Sequence, residues 1–412
     1  MVTKTRSSGG TLSNMKKGLF IHRSIDVASI SSPSGVDKKT MAQVHAMNTE
    51  KLSCEYFYIK KESKASTSLT KKHSCVIFRN ADNFANFFRV NFKRIFCRLP
   101  FGYPPEDPLS QYHKKFDGID FIYIRRYAMS FKRLLTIRKI RKRNPNAKIL
   151  YEIPTYPFKK ELTKRWINYP FWWKEQAYMP ILHQYIDRIV TISKDEVLFG
   201  IPTIQMVNGI DLSSIRPIRP VSEDAAIHIA AVAAFTCWHG YDRLIQGLGE
   251  YYASGGERPI VLHLVGDGPF TTEFAILAKR HRISDKVIIH GYKTGTELDE
   301  IYDHCHLGVI SLATQDKDIY IHSTLKGREY LAKGLPTIAT GMTDVFIGTN
   351  YPYNLELPTN TRKIDIQSII SFYDSIYSRK TRQQVIAEIR AFAECHIDMK
   401  ITMAPVIRYL SS

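Results

Sequence analysis

Paired cysteines are missing from this 412-residue sequence. Cys54, Cys75, Cys97, Cys237, Cys305 and Cys395 lie far apart, with no C-x-x-C pair and no Cys/His cluster at zinc spacing. That excludes a disulfide scaffold and a zinc module, and it leaves free thiols in a reducing compartment as the expectation. Long apolar runs are missing too. Gly18 to Ile21 is too short for a signal-peptide core, and no run approaches the roughly 18 residues of a membrane span. The expected location is therefore cytoplasmic. Acidic residues are scarce: 39 Asp and Glu stand against 58 Lys and Arg, a net charge of +19. Such an imbalance asks for a partner rich in negative charge, whether nucleic acid, an anionic membrane face or a phosphorylated substrate. Core material is present in ordinary amount, with 44% hydrophobic and 12% aromatic residues. The length exceeds one typical core, so two domains are expected.

Along the chain, residues 1–17 are polar, basic and rich in Ser and Gly, and read as a disordered leader. A first strand, Gly18 to Arg23, leads into the small-residue loop S-S-P-S-G-V-D-K-K-T and a helix carrying Met41, Val44 and Met47. Strand, glycine loop and helix start form a phosphate-facing turn in outline, without the full G-x-G-x-x-G spacing. The aromatic and basic stretch from Asn83 to Tyr103 reads first as an amphipathic helix packed on a sheet with solvated charges, and second as a binding segment for an anionic membrane surface or single-stranded nucleic acid. Regular alternation follows: strands at Ile119–Ile124, Ala147–Ile153, Arg188–Ile192 and Ile204–Val207, and an acid-free basic helix from Phe131 to Arg143. Strands separated by helices predict a parallel sheet covered on both faces.

Arg216 to Ala225 is a proline-containing polar linker and the expected domain boundary. The alternation then starts afresh, with strands at Ile227–Ala233, Ile260–Val265, Val287–Tyr292, Leu307–Leu312 and Pro336–Thr340. The sequence thus predicts 18–215 and 216–396 as two doubly wound α/β domains, with a last helix, 397–412, packing back onto the first.

The second domain contains S-T-L-K-G-R-E-Y-L-A-K-G-L-P, Ser323 to Pro336. Ser323 or Thr324 can cap a helix, Leu325, Leu331 and Ala332 give it an apolar face, and Gly334 with Pro336 ends it. Lys326 and Glu329 share one side near the helix start, where unpaired N–H groups favour an anion. A cation and a carboxylate so placed suit a phosphate and a sugar hydroxyl, and equally an ordinary capped surface helix.

Together with S-G-V-D-K-K-T-M-A-Q-V, R-I-V-T-I-S-K-D-E, V-N-G-I-D, W-H-G-Y-D-R-L-I and L-V-G-D-G-P, this stretch resembles the retaining, nucleotide-sugar-dependent glycosyltransferases of family 4. Their bacterial capsular and cell-surface polysaccharide branch is the nearest in pattern. The resemblance runs from about Gly18 to the C-terminus. It implies the GT-B fold, two Rossmann-like domains facing across a cleft. It also implies transfer of a sugar, with retention, from a nucleoside-diphosphate sugar to a growing, lipid-linked surface glycan.

By motif, Glu329 would take the ribose hydroxyls, and Ser323, Thr324 and Lys326 the diphosphate. Gly35, Gly266 and Gly268 would approach the donor, and Gly291 and Tyr292 would meet its base. His239, where the family has Lys, and Glu152, where many members have His, would join Lys326 as catalytic residues, Glu152 on the acceptor side. The family's other paired Glu falls at Ile321, so its role is lost or passes to Asp316, Asp318 or His322. No metal or other cofactor is implied. The +19 charge is assigned to an anionic membrane surface and a peripheral place on its inner face, not to nucleic acid, because no RNA-recognition or helix-turn-helix pattern is found. A GT-B epimerase or hydrolase, or a non-catalytic sugar- or membrane-binding homologue, is the alternative.

Overall fold

The computed structural model describes residues 15–22, 25–26, 35–49, 51–61, 74–78, 109, 112–163, 168–221, 225–313 and 321–412. Most of the leader, the loop before Gly35, the stretch from Asn83 to Tyr103 and both Asp316 and Asp318 lie outside them. The chain divides into two compact units, Met1–Met206 with Met403–Ser412, and Val207–Thr402. The division falls before the Arg216–Ala225 stretch. Arg216 is tied into the second unit through Asp303, at 2.9 and 2.7 Å, and Asp299 at 3.1 Å.

The first unit is built on β1 (Lys16–Ile21), β2 (Ile25–Asp26), β3 (Leu52–Lys61), β4 (Ser74–Phe78), β5 (Phe121–Arg125), β6 (Lys148–Ile153), β7 (Arg188–Thr191), β8 (Val197–Leu198) and β9 (Ile201–Gln205). Their order is β2-β3-β1-β5-β6-β7-β9-β8, with β4 also on β3, and every pairing is parallel except β8 with β9. Strands buried on both faces need apolar side chains at every position. Leu19, Phe20 and Ile21 of β1 and Ile149, Leu150, Tyr151 and Ile153 of β6 are accordingly buried, with Glu152 the one charged exception in that run. Connecting helices are α1 (Gly35–Met47), α2 (Phe131–Arg143), α3 (Lys159–Thr163) and α4 (Tyr169–Tyr178). Because β1 pairs with β3 on one flank and β5 on the other, strand order reverses between β1 and β5. Open α/β sheets bind ligands beyond the strand ends at such a point.

The second unit repeats the plan. Strands β10 (Ile227–Val232), β11 (Ile260–Val265), β12 (Val287–Gly291), β13 (Leu307–Val309), β15 (Thr337–Thr340) and β17 (Asn354–Leu357) form a parallel sheet in the order β12-β11-β10-β13-β15-β17. A separate parallel pair joins β14 (Ile321–His322) to β16 (Met342–Thr343). Helices α5 (Tyr241–Ala253), α6 (Thr271–Arg280), α7 (Gly295–His304), α8 (Leu325–Lys333), α9 (Ile366–Tyr377) and α10 (Arg382–His396) accompany the strands. Order reverses between β10 and β13, so the segments after their C-terminal ends define this unit's switch point.

The last helix, α11 (Met399–Ser411), begins in the second unit, and its residues from Met403 onward belong to the first. Lys16 Nζ donates to the carbonyls of Leu410 and Ser411 at 3.0 and 3.3 Å, and Lys148 Nζ to that of Tyr409 at 2.6 Å. Two ammonium groups thus meet the negative end of the helix dipole and its orphaned carbonyls.

Candidate donor site at the second switch point

The loop after β10 turns back at Gly240, whose φ of 62° lies in the left-handed region. A Cβ there would stand 2.8 Å from the Leu312 carbonyl carbon, so only glycine lets the β10 and β13 loops approach this closely. The neighbouring His239 is buried. Its Nδ1 accepts from the Thr236 backbone N–H at 3.2 Å, which requires that nitrogen to be unprotonated and places a neutral ring's proton on Nε2.

Tyr241, the first residue of α5, is fully buried, and its ring stacks on His239 with centroids 5.4 Å apart. Burial, then the nearby Tyr330, push its phenol well above the usual range, so it stays protonated. Lys326 Nζ lies 3.2 Å from the Tyr241 hydroxyl and 5.4 Å from its ring centroid. Tyr241 therefore joins Lys326 and His239, the two residues expected at the phosphates. Nothing in the sequence marks it, since a tyrosine opening a helix is ordinary.

Thr324 caps α8, its hydroxyl accepting from the Gly327 N–H at 3.3 Å. The Ser323 hydroxyl accepts from the Asn208 N–H and from Arg328 Nη2, each at 3.2 Å, which leaves its own proton to donate. Arg328 is buried completely, with Nε on the Asn208 carbonyl at 2.7 Å and Nη2 paired to Asp344. This arginine locks the V-N-G-I-D segment under the helix start. It lies three and four residues before Leu331 and Ala332, on the apolar stripe, and a charge in that stripe is the sequence signal of a buried ion pair. Glu329 is half-buried and accepts from the Tyr302 hydroxyl of α7 at 3.3 Å.

The remaining candidates spread along the same sheet edge. Gly266 has φ 130°, and a Cβ there would sit 1.9 Å from the Ala233 carbonyl oxygen; one at Gly268 would meet the Phe235 carbonyl at 2.4 Å. Both glycines thus serve close packing of the β11 loop on the β10 loop. The Gly266 N–H donates to the Gly291 carbonyl at 2.7 Å, and Tyr292 beyond it is 67% exposed. Ile321 is 41% exposed in β14, beside His322. Asp316-Lys317-Asp318 has the D-x-D spacing of a metal-assisted diphosphate site, which the metal-free expectation overlooks.

Gly35 and Glu152 belong to the first unit. Gly35 opens α1 and is exposed. Glu152, at the end of β6, is 1% exposed; its Oε1 accepts from Lys39 Nζ at 2.9 Å and from Arg125 Nη1 at 2.7 Å. Burial alone would raise its pKa, but Arg125 and Lys39 outweigh it and bring the carboxyl down to about 2. His22, after β1, lies 3.5 Å from Asp37 of α1 beside this cluster.

No protein-family model matches the sequence, and no curated protein matches it. Solved structures do. HepE of Anabaena in complex with UDP aligns over 96% of this chain and 100% of its own, with a TM-score of 0.59 at 12% identity. A glycosyltransferase from Rickettsia africae aligns over 96% and 98%, with a TM-score of 0.58 at 13% identity. Sucrose-phosphate synthase from Thermosynechococcus elongatus aligns over 96% and 99%, also at 0.58, with 14% identity. The chain has the GT-B fold. At such identities the likeness concerns the fold, and a fold alone does not fix function. Among the described residues no helix is long and apolar enough to cross a membrane.

Proposed function

We propose that this GT-B protein is a glycosyltransferase of family 4, in its capsular and cell-surface polysaccharide branch. It moves a hexosyl group from a nucleoside-diphosphate sugar, with retention, to a lipid-linked glycan at the anionic inner face of the cell membrane. The observation that carries this reading is the meeting of Lys326, His239 and the capped start of α8 around Tyr241, at the second switch point. As the sugar–phosphate bond breaks, charge collects on the leaving diphosphate. Lys326, the Nε2 proton of His239, the Ser323 hydroxyl proton and the helix dipole stabilise that charge. Glu329 accepts from the ribose hydroxyls while held by Tyr302. The departing phosphate takes the acceptor proton on the same face of the sugar, so no strong protein base is needed. Glu152 acts on the acceptor side by positioning Arg125.

Nucleoside diphosphates and their sugars should raise the unfolding temperature, by mass action on the folded state. UDP comes first, because HepE has been crystallised with it. Glu329→Ala should abolish the shift. No shift with any nucleotide overturns the reading, and so does an inverted product anomer by NMR. The reading needs no resident metal, so turnover should survive EDTA; a loss restored by Mg2+ or Mn2+ would overturn that part of it.

A further inference from the structure

Helix α2 carries two faces that differ in chemistry. Leu134, Ile137 and Ile140 point into the core of the first unit. The opposite stripe holds Phe131 at 38% exposure and Leu135 at 42%, followed by exposed Arg138, Lys139, Lys142 and Arg143. The helix contains no acid. Arg138 with Lys142, and Lys139 with Arg143, are like-charged pairs four residues apart, an arrangement that weakens an isolated helix. Of the acids that meet this helix, Asp187 is taken by Arg141 at 2.5 Å, and Glu175, which feels Arg133, is paired to Arg126 at 3.1 Å. Among the described residues Arg138, Lys142 and Arg143 have no ion pair, and Lys139 rests 4.3 Å from the Tyr112 ring centroid. A helix need not bear such a stripe to fold. The stripe is complementary to a surface that supplies fixed negative charge and takes up two apolar groups.

We propose that the outward stripe of α2 docks the protein on an anionic phospholipid surface. Arg138, Lys139, Lys142 and Arg143 meet the headgroup phosphates, and Phe131 and Leu135 enter the headgroup–acyl boundary. Nucleic acid would satisfy the cations but not the aliphatic Leu135, which has no aromatic face to offer a base. A lipid surface satisfies both kinds of side chain. The inference deepens the membrane part of the function proposed above and rests on it for its purpose; its geometry is independent of any nucleotide.

The test is co-sedimentation of the full chain with vesicles. Wild type should bind phosphatidylcholine–phosphatidylglycerol vesicles, release as salt rises through the range where the Debye length shortens to a few ångströms, and ignore phosphatidylcholine alone. The variant R138Q/K139Q/K142Q/R143Q should lose at least about tenfold in partition, since each cation near such a surface is worth about fivefold. It should unfold at or above the wild-type temperature, because its like-charge pairs are gone. Leu135→Ser should lose severalfold in partition with the salt dependence kept, and it keeps the test open if the quadruple variant does not fold. Undiminished binding by the quadruple variant or by Leu135→Ser overturns the proposal, as does equal binding to neutral vesicles. Tighter retention of single-stranded RNA by the same four residues overturns it in favour of nucleic acid. No readout uses nucleotide or turnover, so failure here and failure of the transferase reading are told apart.

Discussion

A carboxylate that receives two cations on one oxygen is a stability element before it is a chemical one. Glu152 is sealed from water, and removing one partner of a buried ion pair strands the others. Glu152→Gln should therefore lower the unfolding free energy by about 3–5 kcal/mol, read as a fall in urea midpoint at pH 7. The pH dependence has a definite sign. The carboxyl titrates at about 2 in the fold and near 4.3 when unfolded, so its contribution is complete above roughly pH 5 and is lost as pH falls toward 2. A wild-type stability that stays flat between pH 5 and 3, or a Glu152→Gln variant as stable as wild type, would contradict this account.

Among elements, the second sheet carries a row of histidines across three adjacent strands. His228 Nδ1 is 2.8 Å from His263 Nε2, and His263 Nδ1 is 2.9 Å from His290 Nε2. Each N···N bond takes its one proton from one ring or the other, so the tautomers of the row are set together. Burial, then Lys293, lower the His290 pKa. Its unfolded ring takes up a proton near pH 6.5 that the folded ring resists, so this contribution to stability is full above that pH and is lost below it. His290→Phe should flatten part of the pH dependence of the urea midpoint between pH 6.5 and 5; an unchanged slope would remove His290 as its source.

Elements with their own punctuation were legible in the sequence. α8 is capped by Thr324 and closed by Gly334 at φ 83°, and α2 spans Phe131–Arg143 as its pattern predicts. Strand β3 escaped notice because Ser53, Glu55, Lys60 and Lys61 interrupt its apolar run. The antiparallel β8–β9 pair is too short for periodicity to register. At the candidate site, Lys326, Glu329 and His239 were legible by residue type and motif. Tyr241 and Arg328 were not, because what distinguishes them is burial against segments distant in sequence.

For the whole molecule, the first unit is discontinuous in sequence and the second is not. Met403, Val406 and Leu410 are all fully buried, and the end of their helix is held by Lys16 and Lys148. A chain ending at Thr402 should show faster amide hydrogen exchange in β1 and β6, with protection in β10 and β13 unchanged. Equal slowing or equal loss in both units would mean that the segment does not belong specifically to the first.

That discontinuity also sets an order of events during synthesis. A ribosome adding about 5–20 residues per second needs about 10–40 seconds to make the stretch from Val207 to Thr402. Throughout that interval the emerged N-terminal sheet lacks its closing helix, and when the interval ends the second unit has every residue it requires while the first still waits for Met403–Ser412. The half of the chain translated first is thus the half that matures last, and the newly made protein passes through a stage with one finished half and one open hydrophobic seam.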